Sequence, residues 1–186
     1  MRSCVDGGAA VFFARVESGK YIDIDEVRAA AFKQARIVRE HLSILADRVA
    51  PPDDLRADAR VAFITGDLLE LIDGKQIPAA GTDAVFHLAA AVSGECEANF
   101  DLGMRSNLEA THKLLEGCRA LGTQPVFVFA SSLAVFGKQP GRALPDPITD
   151  DTLPTPQGSY GIQKFICEQL VADYTRKGFI AGRSVR

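Results

Sequence analysis

The sequence predicts an α/β protein: a doubly wound parallel sheet with flanking helices. Three observations carry that expectation. Short apolar runs alternate with longer stretches of helical period along the chain. Two of the runs, Ala84-Val85-Phe86-His87-Leu88 and Val126-Phe127-Val128-Phe129-Ala130, are nearly continuous in their apolarity, as strands inside a covered parallel sheet are. Both give way to small or polar residues, Ala89-Ala90 and Ser131-Ser132, where parallel sheets collect ligands.

Each element has a local reason. Residues 25–41 read as a helix: Asp23 and Glu26 resemble a capping box, and Val27, Ala31, Ala35 and Val38 share a face. Leu42–Ala46 reads as a strand ending at Asp47, and Pro51-Pro52-Asp53-Asp54 as a turn. Arg60–Thr65 reads as a further strand, closed by Gly66-Asp67. Asp83–Ala91 opens as a buried strand and runs out in small residues. A helix is expected over 97–121, with Gly122 as its stop. Pro125–Ala130 is the next strand. Residues 138–156 hold five prolines without periodicity and read as a loop. Ser159–Lys177 is a helix closed by Gly178, and Ser184–Arg186 opens one more strand. If these strands are parallel, Asp47, Asp67, Ala89-Ala90 and Ser131-Ser132 come to one edge of the sheet.

Composition narrows the function classes. The chain of 186 residues is most simply one domain, 47% hydrophobic and 24% charged, with a net charge of −3. Its Lys and Arg are scattered, which argues against nucleic acid or an anionic membrane as partner. Cysteines at 4, 96, 118 and 167 form no C-x-x-C and no zinc-ligand spacing with histidine, so no metal site is expected. Buried free thiols, a reducing cytoplasm and no spanning segment are the corresponding expectations. Asp6 interrupts the order of a signal peptide.

The chemistry-bearing residues are Ser132, Tyr160 and Lys164. A tyrosine that accepts a proton from a secondary alcohol near neutral pH must overcome an ordinary pKa of about 10, roughly three units or about 4 kcal/mol too high. A lysine ammonium one helical turn away, at the Y-x-x-x-K spacing of Tyr160 and Lys164, favours the phenolate. A serine hydroxyl donates to or accepts from the substrate oxygen as its charge changes. Y-x-x-x-K also occurs as an ordinary exposed pair on helices. The serine pair upstream separates the two readings.

Other residues keep two readings. Asp47 suits the ribose hydroxyls of an adenosine dinucleotide and disfavours a 2′-phosphate, or is a solvated turn aspartate. Asp67 reaches an adenine edge or ends a strand. The alanines 89–91 admit a close ligand or simply pack. His87 reads as a satisfied core histidine more than a catalytic one. Asn107, a poor helix resident, faces solvent or bonds backbone and shapes the site. Reading G-x-x-G-x-x-G from Gly7 gives Gly7, Ala10 and Phe13, so one glycine of a phosphate-binding turn is present.

The segments Gly66-Asp67-Leu68, His87-Leu88-Ala89-Ala90, Asn107, Ser131-Ser132-Leu133-Ala134-Val135-Phe136-Gly137 and Tyr160-Gly161-Ile162-Gln163-Lys164 together resemble the extended short-chain dehydrogenase/reductases, which include the NAD-dependent epimerases and dehydratases. The resemblance covers about residues 42–186, with 1–41 a degenerate start. It implies a Rossmann-like NAD-binding domain over 1–186 whose C-terminal substrate part is missing. It implies Tyr160 as general base, Lys164 as the residue that lowers its pKa and holds the nicotinamide ribose, and Ser132 as the group that positions substrate. Ser132 is preferred to Ser131 because it stands three before Val135 in S-x-x-V-[YF]-G.

Gly7, Asp47, Asp67, Leu68, Leu88, Ala89 and Asn107 are implied cofactor contacts, Asn107 by ordering the lysine and its water. Ser93, Gly94 and Glu95 lie near substrate by the same likeness. The expected function is NAD-dependent oxidation of a secondary hydroxyl of a small-molecule sugar acid to a ketone. The alternatives are a nucleotide-sugar epimerase or dehydratase, and an inactive fragment or dinucleotide-binding module. By the same likeness, helices 97–121 and 159–177 would be the faces of a homodimer.

Overall fold

The structure is a computed structural model that describes residues 11–14, 61–64, 66–141 and 143–186. Gly7, Asp47, the helix expected at 25–41, the strand at 42–46 and the turn at 51–54 lie outside the described residues. The chain divides into two compact units, Met1–Asp67 and Leu68–Arg186.

In the first unit β1 (Val11–Ala14) pairs with β2 (Val61–Ile64), with Val11 opposite Ile64 and Ala14 opposite Val61. The pairing is antiparallel. β2 was expected in the parallel sheet, and that placement is corrected. Two short runs of Val, Ile, Phe and Ala satisfy each other's backbone groups in a two-stranded ladder.

The second unit holds a parallel sheet in the order β3 (Ala84–His87), β4 (Val126–Ala130) and β5 (Ala181–Val185). Register places Val85, Phe127 and Gly182 in one row and His87, Phe129 and Ser184 in the next. β3 and β4 fall where their apolar runs predict, and β5 begins three residues earlier than expected. The stretch from β3 to β4 includes α2 (Ser93–Ala98), α3 (Phe100–Gly103), a π-helical segment (Met104–Glu109) and α4 (Ala110–Leu121). The next crossover runs through a 3-10 turn (Leu133–Val135), the proline-rich loop and α5 (Ser159–Arg176). A short α1 (Leu68–Asp73), which the sequence reading did not foresee, buries Leu68, Leu69, Leu71 and Ile72.

Two neighbouring parallel strands joined twice in the same hand bring both crossovers to one side. α4 and α5 accordingly meet the sheet face that carries Val85, His87, Phe127 and Phe129: Thr111 of α4 bonds His87, and Lys164 of α5 lies over Phe129. The core there is dense, with Phe127, Leu115, Ile180, Cys96, Cys118 and Cys167 fully buried. Those three cysteines are free thiols, as expected.

One long helix over 97–121 was expected, and the structure corrects it. Asn99 leaves helical geometry at φ −142° and ψ 95°, and its side chain accepts from Leu102 N–H at 3.0 Å to cap α3. The π-helical turn then widens the ladder. Gly122 ends α4 with φ +67°, and Gly178 follows α5 with φ +74°, both at the expected stops.

α4 buries an apolar stripe of Ala110, Leu114, Leu115 and Cys118, joined by Thr111. α5 differs: its buried residues are Gly161, Gln163, Lys164, Cys167, Glu168, Val171 and Tyr174. Three of them are polar or charged side chains that need partners once out of water. That buried polar stripe builds the candidate site.

Candidate active site

The C-terminal end of β4 is gripped by α5. Lys164 Nζ donates to the Ala130 carbonyl at 2.8 Å. The Ser132 hydroxyl lies beside the Tyr160 phenol, near enough to favour its ionised form. Ser132 also caps the following 3-10 turn, its Oγ accepting from Ala134 N–H at 3.1 Å. The Lys164 ammonium lies 5.7 Å from the centre of the Tyr160 ring and 4.7 Å from that of Phe129. The structure therefore brings Ser132, Tyr160 and Lys164 together, the arrangement expected from their spacing.

Close approach depends on Gly161. A Cβ built there would stand 2.2 Å from the Ala134 carbonyl oxygen and 3.2 Å from Pro156 Cβ. Glycine next to the tyrosine is what lets α5 lie against the turn that presents Ser132.

The start of α5 is held by an acid from α2. Glu97 Oε1 accepts from Ser159 N–H at 2.6 Å, which supplies a cap that Gly158 has no side chain to make. Glu97 escaped the sequence reading because an acid on a neighbouring helix carries no local signature.

Lys164 is buried, only 3% exposed. Burial pulls its pKa down to about 8, opposed by the nearby Cys167 and Cys96 thiols. Tyr160 is half-buried. Its phenol is pushed above the ordinary value, chiefly by burial, while the neighbouring Ser132 hydroxyl pulls the other way. The expectation that Lys164 brings the phenol below 10 is not met in this structure, because loss of solvent outweighs the favourable contacts.

Asn107 is buried in the π-helical turn. Its Oδ1 accepts from Ala91 N–H at 2.8 Å, and its Nδ2 donates to the Ala91 carbonyl at 3.2 Å and to Gln163 Oε1 at 2.8 Å. Of the two readings, it is the backbone-binding one that holds. The amide fixes the residues after β3 and the neighbour of Lys164, while the ammonium itself goes to Ala130. Gln163 was missed as part of this arrangement, because glutamine inside a helix reads as surface.

His87 is buried beneath the site. Thr111 Oγ1 donates to the Asn107 carbonyl at 2.5 Å, so its lone pair accepts from His87 Nε2–H at 2.8 Å. That assigns the neutral Nε2–H tautomer and leaves Nδ1 buried without a hydrogen-bond partner. Burial, aided by the Lys164 charge, lowers its pKa to about 3. Below pH 6.5 the unfolded chain binds a proton that the folded chain refuses until about pH 3, so stability falls as pH drops through that window. His87→Phe is expected to lose much of that acid sensitivity. Urea unfolding across the window checks it, and an unchanged pH slope counts against the assignment.

The remaining expected residues are placed less centrally. Asp67 ends the first unit, and Leu68 is a core residue of α1. Leu88 is exposed and Ala89 half-exposed just beyond β3. Ser93 and Gly94 are exposed in the first turn of α2, where Glu95 Oε2 accepts from Val92 N–H at 2.9 Å. No helix among the described residues is long and apolar enough to cross a membrane, and no cluster of three metal-ligating side chains occurs among them.

The chain is 53% identical over 142 residues to D-erythronate dehydrogenase of Cupriavidus necator, which covers 76% of this chain and 42% of that protein. It is 45% identical over 141 residues to D-erythronate dehydrogenase of Haemophilus influenzae, covering 74% of this chain and 41% of the relative. The chain thus spans about two fifths of the length of these curated relatives. Among solved structures, a nucleoside-diphosphate-sugar epimerase from Agrobacterium tumefaciens is 44% identical with a TM-score of 0.54, covering 65% of this chain and 34% of that one. UDP-glucose 4-epimerase from Brucella ovis in complex with NAD is 29% identical with a TM-score of 0.56, covering 67% and 38%. The profile of the NAD dependent epimerase/dehydratase family matches residues 30–186, and the chain belongs to that family.

Proposed function

We propose that this chain carries the catalytic residues of an NAD-dependent dehydrogenase that oxidises a secondary hydroxyl of a sugar acid such as D-erythronate to a ketone. The observation that carries the reading is the meeting of Ser132, Tyr160 and Lys164 at the end of β4. The substrate class is supported by the two D-erythronate dehydrogenases to which the chain is similar.

The residues present fit NAD. Lys164 has three N–H donors and gives one to Ala130, leaving two for ribose hydroxyls. The half-exposed Ala89 and Ala90 leave room for a flat ligand beyond β3. In this reading Leu88 and Ala89 also contact the cofactor, and Asp67 is assigned to it from sequence. Gly7 and Asp47 are assigned to it from sequence.

When bound, NAD supplies the acceptor for the hydrogen that leaves the carbinol carbon with its electron pair. Ser132 donates to the substrate oxygen and orients it. Tyr160, as phenolate, takes the hydroxyl proton, and the Lys164 ammonium offsets the negative charge of that phenolate. Asn107 and Gln163 keep the floor of the site in register through Ala91. Ser93 lies at the substrate side, and cytoplasm is the assigned compartment, supported by three buried free thiols. A homodimer through α4 and α5 belongs to the same proposal.

A second reading, nucleotide-sugar epimerisation, is favoured by the epimerases among the structural neighbours. The test is NADH absorbance with D-erythronate and NAD. Net NADH build-up is expected. An epimerase would regenerate its cofactor, so turnover of a nucleotide sugar with no net NADH would replace the first reading with the second.

A further inference from the structure

Tyr160, Lys164 and Glu168 stand at i, i+4 and i+8 of α5, and each reaches a different residue at the end of β4: Ser132, Ala130 and Ser131. Glu168 is 5% exposed. Its carboxylate accepts from the Ser131 hydroxyl and from Arg186, whose Nε donates to Oε1 at 2.9 Å and Nη2 to Oε2 at 2.6 Å. The Arg186 guanidinium lies 5.0 Å from the centre of the Phe136 ring. The backbone is tied at the same point, with Ser131 N–H donating to the Val185 carbonyl at 2.7 Å.

A buried carboxylate without such partners would be strongly destabilising, so the geometry is closely determined.

We propose that Glu168, held by Arg186, is a positioning residue: through the Ser131 hydroxyl it fixes the strand end that presents Ser132 to Tyr160 and the substrate. The proposal rests on the dehydrogenase reading for its catalytic consequence. A purely structural role would be confined to pinning β5 against α5 through the Glu168–Arg186 pair. Removing Glu168 leaves Arg186 unpaired and threatens folding, so Ser131 is the better handle. Ser131→Ala keeps the ion pair and deletes only the tether.

The experiment compares the parent chain, Ser131→Ala and Ser131→Thr by amide hydrogen exchange and by NADH formation with D-erythronate. In Ser131→Ala the Ala134 amide, which donates to Ser132 Oγ, is expected to exchange roughly tenfold faster. The kcat is expected to fall about tenfold with KM for NAD within about twofold. Ser131→Thr, which retains a hydroxyl, is expected to restore both to within about threefold of the parent. Ala134 exchange in Ser131→Ala within about twofold of the parent overturns the proposal. A parent chain that forms no NADH overturns the dehydrogenase reading instead, and the exchange comparison still decides the positioning.

Discussion

Tyr160→Phe is expected to abolish NADH formation from D-erythronate, with a loss of roughly 10³-fold or more, while leaving NAD affinity within about threefold. The variant removes one oxygen from a half-buried ring and leaves Lys164 bonded to Ala130, so the scaffold is retained. The lost oxygen is the group assigned to take the alcohol proton, and the ring that remains cannot substitute for it. Steady-state rates together with titration of NAD separate the two effects. Turnover within about tenfold of the parent would mean that another group is the base.

Gly161→Ala is expected to damage both stability and turnover. The new methyl would meet a backbone carbonyl, that of Ala134, at 2.2 Å, and no rotamer change relieves such a contact. α5 must move off the Leu133–Val135 turn, at a cost of about 2–3 kcal/mol or more. The same movement parts Tyr160 from Ser132, and a displacement of about 1 Å can lower turnover by roughly 10²-fold. Urea unfolding and NADH formation measure the two consequences. Parent-like values in both would show that the two segments need no close contact.

The strands β3 and β4 and the helix α5 were legible because their residues obey local rules: apolar runs of strand length, a glycine stop after the helix, and prolines that exclude regular structure between them. Tyr160, Lys164 and Ser132 were legible because their chemistry limits the residue types and spacings that serve. The break at Asn99 and the π-helical turn were not, since they serve partners far along the chain, Asn107 reaching Ala91 and Gln163. Glu168 and Glu97 carry no sequence signal that separates them from ordinary solvated helix acids. Only folding shows that one is buried under Arg186 and Ser131 and that the other caps α5. The pairing of β2 with β1 was missed because a short apolar strand does not state its direction or its neighbour. The rise in the Tyr160 pKa was missed for a related reason: spacing reveals the nearby ammonium but not the loss of solvent around the phenol.

The central claim is that a phenolate and an ammonium act together beside Ser132, and the pH dependence of NADH formation tests it most directly. The phenol titrates above its ordinary value, so its base form grows about tenfold per pH unit across the neutral range. Lys164 keeps its proton up to about pH 8 and loses it beyond. Log kcat is therefore expected to rise with a slope of about one until about pH 8 and to level off above it. A rate that is flat through the neutral range, or that falls as pH rises toward 8, would contradict the account.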